Sequence, residues 1–238
     1  MAGADTPVSP KAKSDLPVRF ASAVVMLAVA GGAVWLGGMA FKAFVGAVAL
    51  VTLAEMARLI ARIDMGAGLR LLSLGLGAFY IALAAFGLMT LALPMVAWVI
   101  GVVVCTDTGA YFSGRTFGGP KIAPAISPSK TWAGLVGGMI AAGIFTLAVL
   151  QHFRATGTLM PAGSGAGLVT HAGSFAIGAI LAVAAQAGDF FESWLKRRAG
   201  VKDSSQLIPG HGGVFDRVDG LLPVAIIAGV LVPLLRIA

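Results

Sequence analysis

Apolar residues run through this chain in long blocks instead of alternating with polar ones. Phe20–Phe41, Leu71–Thr106, Trp132–Phe153, Ala155–Gly188 and Gly220–Leu235 are almost or wholly free of Asp, Glu, Lys and Arg. A helix needs about 20 apolar residues to cross the hydrocarbon core of a bilayer. Backbone groups in lipid must be satisfied internally, so such blocks become helices. The pattern predicts about seven transmembrane helices, near 19–36, 39–62, 69–88, 91–114, 132–153, 167–197 and 220–237. Pro94 and the length of the 71–106 block argue for two short helices there. The sixth helix is long enough to extend past the membrane surface. The fold class is therefore all-α, a polytopic integral membrane protein.

Residues 1–18 are polar, with Pro7, Pro10, Pro17, Lys11 and Lys13, and read as a disordered cytoplasmic tail. Residues 19–238 read as a single transmembrane domain. The 154–166 stretch, rich in Ala, Gly, Ser and Thr, reads as a flexible external connector.

Composition sharpens this picture. The chain is 58% hydrophobic and 11% charged, with a mean hydropathy of +0.93. An ordinary soluble domain carries about 25% charged residues. Thirty-three glycines suit close helix–helix contact in a membrane. The single Cys105 excludes an intrachain disulfide framework and a multi-cysteine metal site. A net charge of +7 fits basic loops at an anionic lipid surface better than a nucleic-acid partner, so none is expected.

Loop charge orients the chain. Lys11, Lys13 and Arg19 precede the first span. Arg62 and Arg70 flank the second loop, Arg115, Lys121 and Lys130 occupy the fourth, and Arg198, Lys202 and Arg217 occupy the sixth. The intervening turns are base-poor. The positive-inside rule then places the N-terminus in the cytoplasm and the C-terminus outside.

Two polar stretches share the expected cytoplasmic side. The first, 107–131, begins with Asp107 at the inner end of the fourth span. An ionisable group at that depth is either functional or a helix-end charge reaching interfacial water. Tyr111 shares its helical face and also suits an interfacial aromatic belt. Gly114, Gly118 and Gly119 surround Arg115, with Lys121 following. Backbone N–H groups and cations together suit phosphate, although the same residues serve as a positive-inside anchor. Ser127-Pro128-Ser129-Lys130-Thr131 is a stiff turn that presents a hydroxyl and an ammonium; Thr131 also suits a helix N-cap.

The second stretch, Gly188–Gly220, holds five of the ten acidic residues. Asp189, Glu192, Ser193 and Lys196 are spaced to share one helical face. Pro209-Gly210-His211-Gly212-Gly213 can curl tightly and expose N–H groups to an anion. Asp216 and Asp219 are three apart and can face one site. If Asp189 meets them, three carboxylates converge among bases. Hard oxygen ligands without cysteine suit Mg²⁺ and transfer at a phosphorus centre.

These blocks resemble a known family. Ser193-x-x-Lys196-Arg197, Lys202-Asp203-x-Ser205 and Ile208-Pro209-x-His211-Gly212-Gly213-x-x-Asp216-Arg217-x-Asp219 are similar to the signature of phosphatidate cytidylyltransferases, the CDP-diacylglycerol synthases. Asp107-x-x-Ala110-Tyr111, Gly114-Arg115 and Ser127-Pro128-x-Lys130-Thr131 resemble the upstream block of that family. Ala133 stands where the family often has Glu, and Gly220 where it often has Ser.

The resemblance implies that CTP and phosphatidate give CDP-diacylglycerol and pyrophosphate, for phospholipid synthesis. Mg²⁺ is implied as cofactor, with a monovalent cation such as K⁺. It further implies a catalytic domain in a bacterial inner membrane, with its active site facing the cytoplasm, and a homodimer. Asp189, Asp216 and Asp219 are the expected metal ligands. Lys130, Lys196, Arg197, Lys202, His211 and Arg217 are the expected catalytic groups, with the cations holding phosphates and His211 shaping the nucleotide loop. Asp107, Tyr111, Arg115, Lys121, Ser127, Ser193, Gly212 and Gly213 are the expected substrate-binding residues.

Two other classes compete. A CTP-dependent lipid kinase would need similar groups but release CDP. A transporter would use Glu55, Asp107 and Asp189 as an ion path, with a midplane site and inverted repeats. No repeat is evident, and Glu55 is expected to pair locally with Arg58.

Overall fold

The structure is a computed structural model that describes residues 16–157 and 170–237, with side chains to 234. The elements in order are α1 (Leu16–Leu36), α2 (Gly38–Arg62), α3 (Ala67–Thr90), α4 (Leu93–Phe117), β1 (Lys121–Ala123), β2 (Ser127–Thr131), α5 (Trp132–Ala155), α6 (His171–Arg198), α7 (Phe215–Val218) and α8 (Leu221–Ile237). Helices α1–α6 are long and apolar enough to cross a membrane. The seventh expected span is the shorter α8, with 17 residues. The fold is an all-α polytopic membrane bundle.

Several boundaries differ from the sequence-based expectation. Helix α1 begins at Leu16, so the last three residues of the expected tail are helical; residues 1–15 lie outside the described part. Pro17 falls in the first turn, where a missing N–H costs nothing. Most of the 154–166 connector also lies outside it. The 121–131 segment, expected as a loop, forms an antiparallel hairpin pairing Lys121 with Thr131 and Ala123 with Ser127. Thr131 caps α5, its hydroxyl accepting from Gly134 N at 3.0 Å.

The core lies between α4, α5, α6 and α8, around Trp98, Val99, Val102, Leu150, Leu181 and Val224. Glycine sets how closely these helices approach. A Cβ on Gly109 would lie 2.6 Å from the Gly137 carbonyl of α5. One on Gly87 would lie 2.5 Å from the Ala225 carbonyl of α8. Where lipid gives no hydrophobic drive between helices, such approach supplies the packing energy. Helix α1 has no buried residue and lies at the edge of the bundle. Ser22 ties it to the distal loop by donating to the Pro209 carbonyl at 2.9 Å.

This packing brings the C-terminal end of α4, the hairpin, the C-terminal end of α6 and the α7–α8 junction to one end of the bundle. Both polar stretches therefore meet.

Candidate active site

A polar cavity of about 590 Å³ lies where those four elements meet. From α4 it takes Asp107, Tyr111 and Arg115; from the hairpin, Ser129 and Lys130; from α6, Gln186 and Asp189; and from the α7–α8 junction, Asp216 and Asp219. Each is placed by simple local rules. Asp107, Tyr111 and Arg115 recur every four residues, so one face of α4 carries all three. Arg115 donates to the Tyr111 hydroxyl at 3.0 Å. The hairpin swings Lys130 across to Asp189, which accepts its ammonium in an ion pair. Gln186 precedes Asp189 by one helical turn.

The carboxylates differ sharply in their surroundings. Asp216 Oδ1 accepts from Lys196 at 2.6 Å, and Oδ2 accepts from Ser204 N, Ser204 Oγ and Gly213 N at 2.9, 2.8 and 2.7 Å. Burial would raise its pKa. Hydrogen bonding with Glu192, Lys196, Gly213 and Ser204 outweighs burial and holds it well below the usual carboxylate range. Among the described residues Asp219 accepts only from its neighbour, Gly220 N, at 2.9 Å. Burial and the nearby Asp189 charge push it up to about 7. Lys130 is also shifted upward, because the Asp189 carboxylate overcomes the opposing effect of burial.

Asp189 and Asp219 thus form an acidic pair at the cavity, with Lys130 as the ion-pair partner of Asp189. Their donors are hard oxygens without His or Cys, which suits Mg²⁺. Among the described residues no group of three or more such side chains is close enough to hold an ion. Two carboxylates are nevertheless a usual protein contribution, since Mg²⁺ is commonly completed by water and substrate phosphates. Asp216, expected as the third ligand, has both oxygens engaged within the protein.

The remaining expected residues fall outside the cavity. Lys196 bridges Glu192 at 2.5 Å and Asp216 at 2.6 Å. Arg197 reaches the hairpin, donating to the Ile126 carbonyl at 3.4 Å. Arg217 donates twice to the His211 carbonyl, at 3.0 and 2.6 Å. His211 Nδ1 faces the Ser22 hydroxyl of α1 at 2.8 Å. Lys202 lines a separate surface cavity with Arg58 and Arg62. Lys121, Ser127, Ser193 and Gly212 do not line the site, and Gly213 N donates to Asp216.

Two residues were missed or misassigned from sequence. Gln186 is 3% exposed, and neither its amide nitrogen nor its carbonyl has a partner among the described residues. Its signal was a lone amide in an apolar run, one turn from Asp189. Glu55 does not pair with Arg58. It accepts hydrogen bonds from Ser204, Ser205, Val214 and Phe215, because the chain folds the 204–215 segment over α2. Glu55 also lies apart from the cavity that holds Asp107 and Asp189, so the three do not form one ion path.

On the other face of α6 an apolar groove of about 510 Å³ runs between α2, α3 and α6, lined by Met56, Tyr80, Gly188, Phe191 and Trp194. Gly188 lines the groove and Asp189 the polar cavity, so the two flank one helix turn.

A sequence profile described as the Cytidylyltransferase family matches residues 62–235. The chain is 41% identical over 155 residues to a phosphatidate cytidylyltransferase of Brucella suis, covering 63% of this chain and 53% of that protein. It is 45% identical over 131 residues to that of Haemophilus influenzae, covering 53% and 41%. It is 42% identical over 132 residues to that of Rickettsia felis, covering 54% and 56%. The chain spans about half the length of the curated relatives it matches.

Proposed function

The chain belongs to the cytidylyltransferase family, and from that premise we propose that it transfers the CMP moiety of CTP to phosphatidate, giving CDP-diacylglycerol and pyrophosphate. The observation that carries this reading is one cavity in which Lys130 and Arg115 face Asp107, Asp189 and Asp219 at the end of a membrane bundle. Cations for phosphate and hard carboxylates for a metal lie within reach of an apolar groove that suits an acyl chain.

In this reading a phosphate oxygen of phosphatidate attacks the α-phosphorus of CTP. The new O–P bond forms as the bond from that phosphorus to the β-phosphate oxygen breaks, and pyrophosphate leaves. The nucleophile is already ionised, so no strong general base is required. Catalysis rests on positioning and on charge stabilisation. Lys130 and Arg115 would neutralise phosphate oxygens, with Lys130 exchanging its Asp189 partner for substrate. Asp189 and Asp219 are the residues that would hold Mg²⁺, which when bound would withdraw charge from phosphate oxygens. Lys196 would act indirectly, by fixing Asp216. The loop charges support a cytoplasmic site.

Purified protein given CTP, phosphatidate and Mg²⁺ should yield pyrophosphate and a CDP-lipid. Release of CDP with a phosphorylated lipid would replace this reading with a kinase. No turnover in lipid vesicles or detergent would overturn it.

A further inference from the structure

Glu55 stands upstream of the segment that matches the family profile, and it does not line the active-site cavity. It sits in α2 and is 1% exposed. Among the described residues no basic side chain pairs with it. A buried carboxylate without a counter-ion is costly unless hydrogen bonds satisfy it. Here all four come from one segment. Oε1 accepts from Ser205 Oγ at 2.6 Å and Val214 N at 3.1 Å; Oε2 accepts from Phe215 N at 2.7 Å and shares the Ser204 hydroxyl, at 3.1 Å, with Asp216 Oδ2.

That segment leads directly into Asp216 and Asp219. Ser204 joins the two anions, because its hydroxyl lies within hydrogen-bond reach of both Glu55 Oε2 and Asp216 Oδ2. Gly213 closes the arrangement. A Cβ there would lie 2.1 Å from Ser204 Oγ and 2.6 and 2.7 Å from the Glu55 oxygens. The glycine is therefore explained by close approach to an internal carboxylate. The N–H group of Gly213, in the turn that the sequence pattern offered to a substrate anion, is taken by Asp216, and those of Val214 and Phe215 are taken by Glu55.

We propose that Glu55 is a positioning residue, an internal anion that occupies the N–H groups of the 213–215 turn and so sets where Asp216 and Asp219 enter the cavity. The proposal rests on the transferase reading of that cavity. For helix packing alone, an apolar side chain of similar volume would serve as well. An amide would not replace the carboxylate: each oxygen accepts a backbone N–H, and the NH₂ of Gln would face one of them.

The test uses the full chain in detergent or nanodiscs, comparing wild type with Glu55→Gln, Glu55→Asp and Ser205→Ala. In Glu55→Gln, the amides of Val214 and Phe215 should exchange hydrogen roughly tenfold faster, the loss of about one hydrogen bond. Exchange in α4 and α5 should stay as in wild type. The kcat for CDP-lipid should fall about 10–100-fold, as for residues that orient a ligand shell, with KM values changing less. Glu55→Asp keeps the charge and should recover part of both effects. Ser205→Ala removes one donor to Oε1 and should move both readouts in the same direction by less, which keeps the idea testable if Glu55→Gln does not fold. Wild-type exchange at 213–215 in Glu55→Gln would overturn the proposal. So would faster exchange there with unchanged kcat, or loss of protection throughout the bundle in both Glu55→Gln and Ser205→Ala. If wild type itself makes no CDP-lipid, the transferase reading fails, while the exchange arm still decides the anchoring.

Discussion

Replacing Gln186 with Leu separates stability from activity at the centre of the cavity. The wild-type amide is 3% exposed and unpartnered among the described residues. A buried polar group without a hydrogen bond costs about 1–3 kcal/mol. Leu has similar volume and no such cost, so Gln186→Leu should stabilise the substrate-free protein by about that amount. For a chain of this size each kcal/mol moves the melting temperature by roughly 2–4 °C, which a thermal melt of the solubilised protein will resolve. Activity should move the other way. If substrate supplies the missing partner, a substrate polar group will be left unpaired in the variant. The same 1–3 kcal/mol then predicts a fall in kcat/KM of roughly 5–150-fold, at about 1.4 kcal/mol per decade. Pyrophosphate release under limiting CTP, and then under limiting phosphatidate, will show which substrate the amide meets. A Leu variant that melts below wild type would show that the amide is satisfied without substrate. A variant that melts higher and turns over normally would show that no substrate reaches it.

Three further outcomes follow from the geometry. Gly188→Ala should destabilise by about 1–3 kcal/mol, because its Cβ would lie 2.2 Å from the Asp219 carbonyl, whereas Gly75→Ala, with open space around it, should melt as wild type or slightly higher; equal melting of the two would refute the packing there. Asp219 has a folded-state pKa raised to about 7, so in metal-free protein its contribution to stability is fully present below the unfolded value, about 4, and is lost as pH rises towards 7. A proton then competes with Mg²⁺ below that value, so Mg²⁺ affinity by calorimetry should rise up to tenfold per pH unit below about 7 and level off above it, and a flat profile between pH 5.5 and 8 would remove Asp219 from the metal site. Reporter fusions at the two termini should show a cytoplasmic N-terminus and an external C-terminus; a cytoplasmic signal at the C-terminus would break the seven-crossing topology.

Hydropathy alone is enough to place the helices, because a bilayer demands about 20 apolar residues per crossing and lets few polar ones interrupt them. Helices α2 to α5 begin and end within three residues of the expected spans for that reason. The sequence also put Asp107, Lys130, Asp189 and Asp219 on one expected side of the membrane, but that the two polar stretches share one cavity came from the packing. Side-chain partnership was not. Glu55 and Arg58 are three apart on one helix, and sequence spacing favours pairing them. The tertiary fold instead lays 204–215 over α2 and gives the carboxylate four donors. The same long-range contact draws Gly213 inward and leaves Asp216 occupied within the protein. Sequence determined which residues are polar inside an apolar chain. Only the packing of elements far apart in sequence, with Lys130 and Asp189 59 residues apart and Glu55 and Phe215 160 apart, decided which of them face the cavity and which are held within the protein, because each buried donor must find its acceptor across the whole fold.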